Sequence, residues 1–467
     1  MRIAICLLVA SLGSGVSVAA DFDAPYQRQA LELFRRSIAF KTEIGQGQVP
    51  LLAAYLADQF RAAGFPDEDI HILPLGETAS LVVRYRGNGS GGRPITAIAH
   101  MDVVTAKPED WQRDPFTLVE QGGYFFGRGS VDVKCGLVAL TSAFLRLKAE
   151  GYVPDRDLIL AFSGDEETAQ ATAADLAQHH RELVDAEFVL NSDAGGGALD
   201  EKTGRPVLYG IENSEKSYAS FELTVRNPGG HSSLPRADNA IYELADNLQE
   251  IRHLQFPVMW TAETREWFRV MAGQTSDPKL SAAMRRFAAN PRDPQADRVL
   301  AAEPSLVGRT RTTCVPTLLR GGHADNALPQ SATATINCRI FPGVEPASVQ
   351  AALQNRVGPK AEVRPTSAPV YVSGPSPMRP DLLQAVTQVL HSLHDDVPIV
   401  PQQESGASDC VIFRAAGIAC YGTSETFIKD SDDFAHGLNE RVPVASFYQG
   451  LDFWYQLFKD LSSPATH

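Results

Sequence analysis

The sequence predicts an α/β protein, a mixed sheet covered by helices on both faces, with a smaller α+β domain inserted into it. Three observations carry this. Over the first two hundred residues, short continuous apolar runs alternate with amphipathic helical stretches, as in a sheet buried on both faces. Near Ser214 the style changes to strands that alternate apolar and polar residues, as in a sheet with one wet face. The length of 467 residues also exceeds one small domain, since domains run to roughly 150 residues. With 44% hydrophobic and 21% charged residues the composition is ordinary for a globular chain, which excludes disordered, collagen-like and disulfide-knotted classes. Against 56 acidic side chains stand 42 basic ones, a net charge of -14 that repels phosphate backbones, so nucleic acid is not an expected partner.

The elements follow in order. Arg2, the apolar run Ile3 to Leu12 and the small residues up to Ala20 read as a secretory signal peptide, residues 1–20, cleaved near Ala20. An exported chain, periplasmic or secreted, is expected, with no membrane span in its mature part. Leu31, Phe34 and Ile38, then Leu52, Leu56 and Phe60, mark helical spacing between Ala30 and Gly64. Apolar strands are expected at 80–85, 95–99, 158–162 and 188–190, and helices at 134–150 and 172–183. This part, residues 21–213, joins with residues 375–467 into one larger domain, and residues 214–374 form the smaller inserted one. The inserted domain holds alternating strands at 217–225 and 333–340 and a helix at 239–254, whereas 255–304 shows no clear pattern. After removal of Cys6, five cysteines remain, with no Cys-x-x-Cys pair. Buried free thiols are the default expectation, and an oxidising compartment permits one disulfide whose partners the sequence does not name.

Acidic and histidine residues gather where strands end. His100 and Asp102 follow one apolar strand, Asp165, Glu166 and Glu167 another, and Asp193 a third, while Asp132 precedes a helix. The carboxyl ends of strands in an open α/β sheet converge on one crevice. Carboxylates and imidazoles collected there repel one another and lose water unless a cation joins them, and such a donor set suits zinc or its neighbours. Other chemistries fail on context. The run from Gly87 to Gly92 matches a dinucleotide-binding pattern but leads into a strand instead of a helix, and is expected to be a hairpin turn. No Gly-x-Ser-x-Gly elbow, His-Glu-x-x-His pair or Walker loop is present.

The strings HMDVV, GRGSVDVKCG, FSGDEE, NSDAGG, GGHSS, GGHADNALP, NCRIFPG, SGASD and FAHGLNE occur in this order along nearly the whole mature chain. In this the chain resembles the dinuclear zinc metallopeptidases and amidohydrolases that include carboxypeptidase G, aminoacylase, carnosinase-type dipeptidases and succinyl-diaminopimelate desuccinylase. Asp193 in place of Glu and the insert before Arg309 look most like the Gly-Xaa carboxypeptidase and N-acyl amino acid hydrolase branch. The resemblance implies a zinc-exopeptidase-like catalytic domain with a dimerisation-type lid, and two zinc ions per chain, with cobalt or manganese as substitutes. It implies that His100 and Asp193 bind one metal, that Glu167 and His436 bind the other, and that Asp132 bridges them. Glu166 is then the general base, Asp102 holds His100 from behind, His231 and Asn326 reach the substrate oxygen, and Arg339 meets the substrate carboxylate. Val133 and Cys135 depart from the family's usual residues but are not metal ligands.

The expected activity is cleavage of the amide bond next to a C-terminal amino acid, in peptides or N-acyl amino acids. A narrower dipeptidase or deacylase is the alternative within the family, and an exported binding protein with a two-lobed cleft is the alternative outside it. Whether a second copy completes the site, as a homodimer, is left open by the sequence.

Overall fold

The computed structural model describes residues 22, 24–366, 370–394 and 396–463. The expected signal peptide lies outside the described residues. A ten-stranded mixed sheet forms the body, and four parallel strands lie at its centre in the order Leu158–Ser163, Ile95–His100, Phe188–Asn191, Cys420–Gly422. Each of these is fully buried, which is why they read as unbroken apolar runs instead of alternating ones. Antiparallel strands extend the sheet on both sides, with Thr78–Tyr85 beside Leu158–Ser163 and Pro206–Glu215 beside Cys420–Gly422.

Helices cover both faces. Pro25–Ala39, Val49–Ala62, Lys134–Ala149, Pro380–Leu393 and Val444–Leu461 pack one face around Phe34, Phe60, Phe144 and Trp454. Ala171–His179 and Cys410–Ala415 pack the other, against Ile98, Ile159 and Val189. Lys134–Ala149 is buried along almost its whole length, clamped between the sheet and Val444–Leu461. Among the described residues no helix is long and apolar enough to cross a membrane.

The smaller sheet is antiparallel, in the order Thr313–Gly321, Ser331–Ile340, Ser217–Arg226, Ala361–Pro365. Phe221, Leu223 and Val225 from one strand and Ala334, Ile336 and Cys338 from its neighbour turn inward against the helices Ala240–Arg252 and Pro346–Val357.

Several expectations differ from the structure. The run Gly87 to Gly92 is not a hairpin, because Leu158–Ser163 lies between Thr78–Tyr85 and Ile95–His100. The loop is held instead by the segment entering that middle strand, where Asn88 N donates to Pro154 O and Gly91 N to Asp155 O. The single helix expected at 172–183 breaks at His180 into two pieces. The unpatterned stretch 255–304 contains the helices Ala262–Gln274, Pro278–Ala289 and Pro294–Leu300. Their apolar faces, with Trp267, Phe268 and Phe287, pack on Leu208 and Val400 of the large sheet and not on the small one. Two disulfides are present, Cys314–Cys338 and Cys410–Cys420, and Cys135 is a buried free thiol.

Candidate active site

The parallel strands end together, and this brings the acidic and histidine residues into one cluster. His100 closes its strand, Ser163 and Asn191 close theirs, and the turns that follow carry Asp165 to Glu167 and Asp193. Asp132 stands before the buried helix Lys134–Ala149. His436 comes from the far end of the chain, on a loop where its backbone takes the left-handed conformation at φ 62°.

Asp132 lies at the centre. Its Oδ1 is 2.9 Å from His100 Nε2, and the same nitrogen is 3.6 Å from Asp193 Oδ1. Its Oδ2 is 3.1 Å from His436 Nε2, which is 2.9 Å from Glu167 Oε2. Each oxygen of one carboxylate thus faces a separate histidine–carboxylate pair. Ligand atoms of His100, Glu166 and Asp193, and of His100, Asp132 and Glu167, lie within 4.8 Å of one another in two overlapping groups that could each hold a cation. Glu166 therefore stands close to the first pair, with Gln170 Nε2 donating to its Oε1 at 2.9 Å.

Asp102 supports the cluster in two ways. Its main-chain carbonyl, rather than its carboxylate, is the near partner of His100 Nδ1, at 2.9 Å against 3.6 Å. That contact makes Nδ1 the donor and turns Nε2 toward Asp132 and Asp193, the orientation in which Nε2 would meet a cation. The Asp102 carboxylate accepts the backbone N–H groups of both Glu166 and Glu167, at 3.1 Å each, and fixes the turn that carries them.

The electrostatics fit a cation. Burial pushes the carboxyl of Asp193 up to about 6, and burial with the nearby Asp193 raises Glu166 well above the usual range. Hydrogen bonds from His436 to Asp132 and Glu167 pull its imidazole up to about 10. His100 is raised as well, the attraction of Asp193, Asp102 and Asp132 overcoming its burial. The protein's own groups would hold protons to balance this negative charge, and divalent metal in the same place supplies the balance directly. The donor set, two imidazoles and several carboxylates, suits zinc and its neighbours.

The lid residues fall into two groups. His231 ends the short strand Gly230–His231, and Asn326 sits in the turn just before its partner strand Ala327–Leu328, where Ser232 N donates to Asn326 O at 3.0 Å. The ring of His231 is exposed and its Nδ1 is 2.8 Å from Ser233 Oγ, and among the described residues no hydrogen bond or ion pair joins His231 or Asn326 to the cluster. Arg339 is half-buried on its strand, and burial lowers its guanidinium. It stacks over the Tyr218 ring at 4.8 Å and feels the charge of Glu166.

Sequence reasoning missed Lys216, which is fully buried between the last strand of the body and the first of the lid. Its Nζ donates to Thr313 Oγ1 at 3.3 Å, its one hydrogen-bond partner among the described residues, and burial together with the Arg339 charge lowers it to about 7. Neither Lys216 nor Arg339 makes an ion pair among the described residues. Asn191 was missed too; its Oδ1 accepts the N–H of Asp193 while its Nδ2 donates to Ser408, which in turn bonds Glu215. A lysine after Glu215 in a polar run gives no signal of burial, so no sequence pattern marked it.

A cluster that could hold cations at the carboxyl ends of a parallel sheet, with a further carboxylate beside it, fits a hydrolase of the metallopeptidase class. The sequence pattern of peptidase family M20/M25/M40 matches residues 97–460, and the chain belongs to that family. It is 27% identical over 410 residues to the human N-fatty-acyl-amino acid synthase/hydrolase PM20D1, covering 84% of this chain and 79% of that one. It is 28% identical over 400 residues to a probable carboxypeptidase S-like protein of Dictyostelium discoideum, covering 82% and 74%. In fold it is similar to the M20 family metallo-carboxypeptidase Sso-CP2 from Sulfolobus solfataricus, with a TM-score of 0.72 at 18% identity over 93% of this chain and 99% of that one. The di-peptidase Dug1p from Saccharomyces cerevisiae gives a TM-score of 0.70 at 16% identity, covering 94% and 97%.

Proposed function

We propose that this protein is an exported, zinc-dependent hydrolase that cleaves the amide bond next to a C-terminal amino acid, in N-acyl amino acids or peptides. The observation that carries the reading is Asp132, whose two oxygens face two separate histidine–carboxylate pairs while Glu166 stands beside them. His100 and Asp193 would hold one zinc ion, Glu167 and His436 the other, and Asp132 both. When bound, the two ions polarise the scissile carbonyl and make a water acidic near neutral pH.

The chain's own groups do the rest. Glu166, oriented by Gln170, takes the proton from the attacking water and passes it to the leaving amine. Lys216, fully buried, and Arg339, half-buried, carry positive charge with no ion-pair partner among the described residues, a costly arrangement that an anionic ligand would relieve. A free α-carboxylate on the amino acid side is that anion. His231 and Asn326, on the lid, donate to the oxygen that gains charge when the lid or a second copy brings them over the cluster.

Two features support the finer parts of the reading. The disulfides Cys314–Cys338 and Cys410–Cys420 suit an oxidising compartment, as export to the periplasm or medium provides. The edge strand Thr313–Gly321 leaves Val315, Leu318 and Leu319 exposed, as a strand that pairs with a second copy of this chain would. Hydrolysis of a panel of N-acyl amino acids and dipeptides, each compared with its C-terminal amide, tests the activity. The account expects turnover of the free acids and little of the amides. Equal turnover of both would refute carboxylate recognition.

A further inference from the structure

The two segments that carry Asp132 and His436 come from opposite ends of the chain and meet in a small three-stranded sheet. Arg441 pairs with Phe126 and Val442 with Phe125, and Gly127 N donates to Glu440 O at 3.1 Å. Just past this pairing, Arg128 and Glu440 form an ion pair at 2.6 Å, both fully enclosed by protein. Glu440 does more than neutralise Arg128. Its Oε2 also accepts Gly129 N, and its Oε1 accepts Val131 N and Asp132 N at 2.9 and 3.1 Å. One carboxylate therefore fixes three backbone amides of the turn that aims Asp132.

Arg128 acts on the other segment. Its Nη2 reaches the carbonyl oxygens of His436 and Gly437, at 3.3 and 3.2 Å. His436 is a non-glycine residue at φ 62°, a conformation that side chains with a Cβ adopt only when their surroundings hold them. A lysine, a single point charge on a flexible stem, lacks the rigid planar fork that spans Glu440 and the two carbonyls in fixed geometry. A buried ion pair is also a weak way to stabilise a fold, since apolar residues of the same volume do as well or better. Its retention here calls for a geometric reason.

We infer that the Arg128–Glu440 pair is a positioning device that sets Asp132 and His436 against each other and so governs the metal shared by Asp132, Glu167 and His436. This rests on the two-metal reading above. The pair touches no substrate and is not catalytic; it acts through the two ligands it holds. Partners placed behind metal ligands typically change metal affinity 10- to 100-fold. The larger loss should fall on the ion beside His436, because both of its ligands from the chain ends hang from the pair, whereas the first ion keeps His100 and Asp193 and meets the pair only through the shared Asp132.

The test measures zinc affinities of the full chain by competition with a chromophoric chelator, alongside thermal melts of the metal-free protein. Arg128→Lys and Glu440→Gln should each weaken the second zinc roughly 10- to 100-fold and leave the first within a few-fold of wild type. A core truncation on a distant helix, Leu390→Ala, should lower the melting temperature while both affinities stay unchanged. The double variant Arg128→Met/Glu440→Gln strands no charge, so it should melt above the worse single variant yet keep the weak second site. Wild-type affinities in Arg128→Lys, or recovery of zinc binding along with stability in the double variant, would overturn the inference and leave the pair a support of the fold. A wild-type chain that bound no zinc would instead refute the two-metal reading itself, and this inference with it.

Discussion

Lys216 allows the sharpest test of substrate recognition, because its two effects have opposite signs. Its ammonium is lowered from 10.5 to about 7 by burial and by Arg339. A base whose folded value lies below its unfolded one destabilises the fold wherever the unfolded chain holds the proton. The penalty is complete below pH 7, shrinks between 7 and 10.5, and vanishes above. The gap of 3.5 pH units corresponds to a ceiling of about 5 kcal/mol at 1.36 kcal/mol per unit. Lys216→Met should therefore be more stable than wild type at pH 6, by about 1 to 5 kcal/mol once the lost bond to Thr313 is subtracted. The advantage should fade by pH 10. The same variant should raise KM for substrates with a free carboxylate by roughly 10- to 150-fold, the worth of one charge-assisted hydrogen bond. Urea denaturation at pH 6 and pH 9.5, with KM for matched acid and amide substrates, measures both. A variant less stable at pH 6, or one that weakens acid and amide alike, would refute the argument.

Glu166→Gln keeps the side chain's shape and removes only its basicity, so both metals and substrate affinity should be retained while turnover falls about 10²–10⁴-fold. Glu167→Gln should instead weaken the metal beside His436, with partial rescue by excess zinc; metal analysis and turnover at several zinc concentrations separate the two, and the reverse pattern would exchange their roles. His231→Ala should leave metal content intact and lower turnover by roughly 10²–10³-fold, as loss of one oxyanion donor does. An unchanged turnover number would make His231 an exposed turn residue bonded to Ser233 and nothing more.

Much of the fold and the cluster was legible because both follow from local patterns. The central strands are buried on both faces, so each had to be an unbroken apolar run, and the acidic residues stood where those runs ended. Asp132 and His436 were harder, since no strand end marks them, and their roles came from the family strings. What the residues alone could not reveal was pairing across long distances. Nothing near Gly87 announces that Leu158–Ser163 intervenes, and nothing in Ala262–Gln274 says which sheet its apolar face covers. Lys216, Arg128 and Glu440 share this fate. They are charged residues that a sequence assigns to the surface, and only their three-dimensional partners enclose them.

The central claim is that Asp132 joins two cations into one hydrolytic site. Elemental analysis of the purified protein, read with activity before and after thorough chelation, tests it most directly. Close to two zinc ions per chain, loss of hydrolysis on chelation and its return with added zinc are expected, as a two-metal site requires. Asp132→Ala, which leaves both ions without their shared ligand, should lower metal content more than His436→Ala does. Undiminished hydrolysis by the metal-stripped protein, or full metal content in Asp132→Ala, would contradict the claim.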